Sequence, residues 1–238
     1  MNGELNGLSV LVTGASRGIG LETARILVQS GGWVGMVARG EESLRGAAAE
    51  VGGIPFTANL TSAAAVDTLR DEVTAALGGT PDVIVNSAGV FSLASFVDTT
   101  PAELECQFNG NLLAPFLVTR AFLPAMISRR SGHVVNVGSI AARLALPGNG
   151  AYSASKFGLR GLHEVLAVEL QGSGVRTTMI EPSATDTPLW DTFDPDARDD
   201  LPSRSQMMRP EAVARAIVFA ISQPSNVEIS YLAVRASG

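Results

Sequence analysis

Near the start of the chain, Leu8-Ser-Val-Leu-Val-Thr13-Gly14-Ala-Ser16-Arg17-Gly18-Ile19-Gly20 joins an apolar β-rich run to a turn holding three glycines, and a helical pattern follows. A strand entering a glycine turn that opens a helix is the first unit of a parallel sheet. Glycines let the backbone approach a pyrophosphate closely, and the helix N-terminus adds free N–H groups and a positive dipole end. The spacing is Gly-x3-Gly-x-Gly, not the Gly-x-Gly-x-x-Gly of the best-known dinucleotide loop.

Outward from this unit, strand-like and helix-like runs alternate. Leu8-Val12, Trp33-Ala38, Asp82-Asn86, His133-Val137, Val175-Ile180 and Val227-Val234 read as strands, with Ile54-Phe56 a weak extra one. Residues 18–30, 41–50, 62–77, 102–130, 151–171 and 210–222 read as helices. Thr100-Pro101-Ala102-Glu103 is a capping box, and Pro115 and Pro124 should bend or interrupt the long segment after it. The expectation is an α/β fold: one domain over residues 1–238, a doubly wound parallel sheet with helices on both faces. The irregular stretch from Pro182 to Arg209 is about twice an ordinary connection, and 183–207 within it is expected to be a lid over a substrate.

Apolar residues make up 46% and charged residues 17%, which is globular composition. A net charge of -6 disfavours nucleic acid as a partner and offers no basic stripe to a membrane. No unbroken apolar run approaches the ~18 residues of a membrane span. Cys106 is the single cysteine, so no internal disulfide forms, and the first residues lack a secretory pattern. A cytoplasmic location is expected. His133 and His163 have no ligand-spaced partners, and no metal is expected.

Tyr152 and Lys156 lie four apart in Tyr-Ser-Ala-Ser-Lys, on one face of a helix, with Ser139 at the end of the fifth strand-like run. A phenol titrates near 10 and is a poor acid or base at neutral pH. An ammonium at about 4 Å in an effective dielectric near 20 favours the phenolate by roughly 4 kcal/mol, or about three pK units. The spacing therefore predicts a proton donor, a cation that acidifies it, and a hydroxyl to orient a carbonyl.

Thr13-Gly14-x3-Gly18-x-Gly20, Asn86-Ser-Ala88-Gly89, Asn111, Ser139 and Tyr152-x3-Lys156, in that order, resemble the short-chain dehydrogenase/reductase family over about Leu8 to Val234. The resemblance implies a Rossmann-like fold and a hydride-transfer oxidoreductase acting on a small carbonyl or alcohol. It implies that Gly14, Ser16, Arg17, Gly18, Ile19 and Gly20 hold the cofactor pyrophosphate. Asn59 and Leu60 would lie beside the adenine, Asn86, Ala88 and Gly89 along the cofactor, and Pro182 and Thr187 at the nicotinamide. Tyr152 would be the general acid and base, and Ser139 would bind the substrate oxygen. Lys156 would tune the phenol and bind the nicotinamide ribose, while Asn111 would hold a relay water. The second strand ends in Ala38-Arg39, where an NAD-preferring member would place an acid, and Arg39 with Arg17 suits a 2′-phosphate. NADP(H) is favoured, with NAD(H) left open. The family also implies a homodimer or homotetramer built on residues 102–130 and 151–171, where Phe116, Phe122, Leu166, Ala167 and Leu170 suit an interface or the core.

Two other readings stand beside this one. Gly14-Ala-Ser16-Arg-Gly18 matches the nucleophile elbow of α/β-hydrolases, but the last histidine is His163 and no oxyanion segment accompanies it. A non-catalytic dinucleotide sensor on the same fold would be expected to lack one of Ser139, Tyr152 or Lys156. For the substrate pocket, Leu93, Phe96, Leu144, Leu146, Leu189, Trp190 and Phe193 are expected walls, with Arg143 facing a substrate carboxylate or solvent.

Overall fold

The computed structural model describes residues 5–237, so the reading of the N-terminal leader, which rests on the first residues, lies largely outside the described residues. Seven parallel strands, β1 (Ser9–Thr13), β2 (Trp33–Ala38), β3 (Ile54–Thr57), β4 (Val83–Asn86), β5 (Gly132–Val137), β6 (Val175–Pro182) and β7 (Tyr231–Val234), form one sheet in the order β3-β2-β1-β4-β5-β6-β7. The order reverses between β1 and β4, and both strands end at the same rim. Such a reversal leaves a crevice beyond the carboxyl ends of the strands.

Both faces of the sheet are covered, which is why its strands read as apolar runs. On β1, Val10 and Val12 face one layer and Leu11 the other. The first layer is α1 (Gly18–Gln29), α2 (Glu41–Val51) and α7 (Pro210–Ile221), with Leu27, Leu44 and Ile217 in the core. The second is α3 (Ala63–Leu77), α4 (Pro101–Phe108), α5 (Ala114–Ser128) and α6 (Gly150–Glu169), with Leu69, Phe122 and Met126 against Ile84 and Val134. Burying a leucine or phenylalanine of this kind contributes about 1.5–3 kcal/mol.

The predicted 102–130 helix is continuous but not uniform. Thr100 caps it as expected, accepting from Glu103 N at 3.2 Å while the Glu103 carboxylate accepts from Thr100 N at 2.7 Å. Asn109–Leu113 is then a π turn, in which Ala114 N–H reaches back to the Asn109 carbonyl. Pro115 explains it: a proline has no N–H for the carbonyl four residues earlier, and its ring would clash there. Pro124 is accommodated inside α5. By length and average composition Pro101–Ser128 could cross a bilayer, although no unbroken apolar run is long enough. Here Val118, Phe122 and Met126 are instead packed into the second core.

The last strand is shorter than predicted, beginning at Tyr231 and not Val227. Side chains replace the ladder before it: Glu228 Oε1 accepts from Thr177 N at 3.0 Å, and Arg176 Nη1 donates to the Val227 carbonyl at 2.7 Å.

The rim opposite the crevice is stapled. Ser9 N and Oγ both donate to Asp82 Oδ2, at 3.0 and 2.6 Å, and the Asp82 N–H returns to Ser9 Oγ at 2.9 Å. Arg129 donates to the carbonyls of Thr80 at 2.6 Å and Pro81 at 2.7 Å. Beside it, the His133 ring bonds Thr178 Oγ1 at 2.8 Å, and burial lowers its pKa to about 3.

Candidate active site

A cavity of about 1430 Å³ lies at the crevice, larger than the ~300–1,000 Å³ of an ordinary small-molecule pocket. Its floor is the glycine loop. Gly14 and Gly18 have φ of +66° and +57°, a region that favours glycine. A Cβ on Gly14 would lie 2.7 Å from Ala88 Cα, and one on Gly20 only 2.4 Å from the Gly14 carbonyl oxygen. The loop is therefore a cradle that side chains would fill, at the N-terminus of α1, and it suits a pyrophosphate.

Of the residues expected along a cofactor, Gly14, Ser16, Arg17, Gly18, Ile19, Gly20, Arg39, Asn59, Leu60, Ala88, Gly89, Pro182 and Thr187 all line this cavity. Asn86 does not. It is buried, and its amide is spent on Thr119 Oγ1 at 3.0 Å and Asn136 Oδ1 at 2.9 Å, a core bridge between neighbouring strands. Asn59 Oδ1 accepts from Thr61, which leaves its NH2 as the free group. Glu41 pairs with Arg45 at 2.7 Å and not with Arg39. Ser183, in place of the family's glycine, needs no left-handed backbone.

The reactive groups meet on the opposite wall. Ser139 follows β5 and caps a short turn, with its Oγ accepting from Ala141 N at 3.1 Å. Tyr152 and Lys156 are one helical turn apart on α6. Lys156 is buried, and its Nζ donates to the Val137 carbonyl at 3.0 Å and lies 5.8 Å from the Tyr152 ring centroid. Burial lowers the pKa of this ammonium to about 8. The Tyr152 phenol is held above its ordinary value by burial, and a hydrogen bond with Ser139 offsets this only in part. The Lys156 ammonium, expected to acidify the phenol, is turned to the Val137 carbonyl, and burial is the largest influence on the phenol in this geometry.

Asn111 is fully buried in the π turn. Its Oδ1 accepts from Val90 N at 2.9 Å, and its Nδ2 donates to the Val90 carbonyl at 2.9 Å and Ser155 Oγ at 3.1 Å. Gly89 makes room, since a Cβ there would sit 2.9 Å from Asn111 Oδ1. With its amide committed, Asn111 keeps a main-chain carbonyl to which Pro115 can give no N–H.

Phe91, Leu93, Leu146, Leu189 and Trp190 line the substrate end. Phe96 is 91% exposed and Leu144 43%, so neither is the wall expected of it. Phe193 packs on Phe91, ring centroids 5.3 Å apart. Arg143 does not line the cavity but is partly exposed to solvent, with its Nε bonding buried Glu181 at 2.6 Å and its guanidinium 5.1 Å over Tyr231. Nothing in the sequence marked that pair, because its partners are 38 residues apart. The hydrolase reading fails because neither histidine lines the cavity that holds Ser16: both are buried, His163 bonded to Asn136 and His133 to Thr178.

A family model described as short chain dehydrogenase matches residues 9–198. The chain is 35% identical over 226 residues to a ketoacyl reductase, HetN, of a Nostoc species, covering 91% of this chain and 76% of that one. It is 35% identical over 227 residues to a D-threitol dehydrogenase of Mycolicibacterium smegmatis, covering 92% and 87%. A solved metagenomic short-chain oxidoreductase in complex with NADP superposes with a TM-score of 0.84 at 32% identity, covering 98% of this chain and 99% of that one. With sheet order, glycine cradle and these likenesses in agreement, the chain belongs to the short-chain dehydrogenase/reductase family of oxidoreductases.

Proposed function

We propose that the chain is an NADP(H)-dependent oxidoreductase that interconverts a ketone or aldehyde and an alcohol, with Tyr152 as general acid and base. One observation carries the reading: Ser139, Tyr152 and buried Lys156 share one wall of the cavity whose floor is the glycine cradle. The bound nicotinamide supplies the hydride in reduction and accepts it in oxidation. The protein's own part is positional and electrostatic. Ser139 and Tyr152 direct their hydroxyls at the substrate oxygen. An alkoxide is far more basic than a phenolate, so a phenol that burial keeps protonated at neutral pH is a competent donor to it. Lys156 holds positive charge below pH about 8, against the phenolate left behind. Asn111, through its main-chain carbonyl, is suited to hold the water that returns the proton.

Arg17 and Arg39 at the adenosine end, with Ala38 in place of an acid, support NADP(H) over NAD(H). The solved relative that holds NADP supports the same choice. The substrate is read as a small carbonyl compound or alcohol with an apolar body. A cytoplasmic homodimer or homotetramer is part of the proposal. Leu170 and Phe122 belong to the core, whereas Phe116, Val165 and Val168 are exposed and free to form the interface.

The test is oxidation of NADPH and NADH against a panel of ketones and aldehydes, with Tyr152→Phe as control. Turnover with NADPH is expected, falling at least 10²-fold in the variant while cofactor binding persists. Wild-type turnover in Tyr152→Phe, or tighter binding of NADH than NADPH, would refute the respective part. Cofactor binding with no turnover on any carbonyl would favour a sensor.

A further inference from the structure

The catalytic phenol has a neighbour that the mechanism above does not use. The Tyr152 and Phe91 rings pack in a T, centroids 4.9 Å apart and planes at 80°. Phe91 in turn carries two rings of the long loop, Trp190 at 4.9 Å and Phe193 at 5.3 Å. A single side chain thus stands between the loop and the reacting group.

Both sides of this contact are built to hold it. The segment bearing Phe91 is fastened one residue before by the Asn111 amide, which takes both backbone groups of Val90. Three residues after, Ala94 N donates to the Gly148 carbonyl at 3.0 Å, tying the segment to the chain that leads into the Tyr152 helix. The loop is closed at its base, where Asp186 N donates to the Met208 carbonyl at 2.8 Å and Met208 N to the Ala184 carbonyl at 3.0 Å. Arg204 braces it from within, its guanidinium bonding Asp186 at 2.6 Å and Asp191 at 2.7 Å, and its N–H bonding Asp196 at 2.8 Å. A loop stiffened in this way delivers Trp190 and Phe193 as a unit.

Resting on the assignment of Tyr152 as acid and base, we infer that Phe91 is a positioning residue for the phenol, and that the 183–207 loop influences the reaction by bearing on Phe91. The groups that face the phenol are Ser139 from the turn after β5, Lys156 from its own helix and the uncharged Phe91. The loop's carboxylates at Asp186 and Asp191 are engaged by Arg204. Removing the phenylalanine ring lets the phenol rotate and admits water to it.

The experiment uses Phe91→Ala, Phe91→Tyr and Trp190→Ala in the full chain, with NADPH and the carbonyl of the panel that wild type reduces fastest. Phe91→Ala is expected to lower kcat at least tenfold with KM for NADPH within twofold, and Phe91→Tyr to restore kcat to within threefold. In the alcohol-oxidising direction the midpoint of the kcat–pH profile is expected to fall in Phe91→Ala, because the phenol is better hydrated. Trp190→Ala should lower kcat by itself and add nothing in the Phe91→Ala background. Only Trp33 and Trp190 are present, so Trp33→Phe isolates the loop signal, and acrylamide quenching of Trp190 should rise when Phe91 is removed. This last reading needs no substrate. Unchanged quenching would overturn the inference, as would a change confined to the carbonyl KM, which would make Phe91 merely a pocket wall. An additive Trp190/Phe91 pair would do the same. Wild-type turnover in Tyr152→Phe would instead refute the general acid itself, so the two failures are distinguishable.

Discussion

Lys156 shows at the scale of one residue how a site can work against the stability of its protein. Its ammonium is buried with one carbonyl partner, and its pKa falls from 10.5 to about 8. The unfolded chain therefore binds more protons between pH 8 and 10.5, so the penalty is complete below 8 and is relieved as pH rises through that window. Lys156→Met is expected to abolish turnover and yet stabilise the fold at pH 7, by at most roughly 3 kcal/mol. Urea unfolding of both proteins at pH 7 and pH 10 checks this: the gap should shrink at the higher pH. A variant less stable than wild type at pH 7 would show that hydrogen bonding outweighs desolvation there.

At the scale of elements, the long loop and the interrupted helix carry the contrast between what the sequence shows and what it hides. Arg204→Ala, which removes both braces on Asp186 and Asp191, is expected to raise the carbonyl KM about tenfold through a loosened substrate wall. It should also expose residues 188–206 to limited proteolysis, with only a small fall in melting temperature, because the Asp191 pair is open to solvent and the Asp186 pair is half-buried. Unchanged KM and unchanged proteolysis would show the loop to be held without that arginine. The strands were legible because burial on both faces writes a continuous apolar run, as at Val83–Asn86. The residues lining the cavity were legible because glycine loops and a Tyr-x3-Lys pair are local. What stayed hidden is made by contacts between distant segments. The amide of Asn86 turns to Asn136 across the sheet, and Arg143 to Glu181. Pro115 announced an interruption, but that it would take the form of a π turn holding Asn111 depends on how both halves of the helix pack.

For the whole molecule, the two rims of the sheet hold different kinds of residue. The carboxyl rim has the Gly14–Gly18 cradle and the side chains of Ser139, Tyr152 and Lys156, and the opposite rim has Ser9, Asp82, Arg129 and His133, whose bonds are structural. His133 makes that rim acid-sensitive. With a folded pKa of about 3 against 6.5, its neutral form adds nothing above pH 6.5, and stability is lost as pH falls from there toward 3. The loss is at most roughly 4–5 kcal/mol. His133→Gln, which keeps a partner for Thr178, is expected to flatten this acid limb in pH-dependent unfolding while leaving turnover at pH 7 unchanged. An acid limb identical to wild type would place the sensitivity elsewhere. The stapled rim also offers a handle. An enzyme anchored to a bead or electrode through the rim of Thr80, Asp82 and Arg129 would turn its open mouth toward the bulk liquid, and reagents could reach it without passing the support.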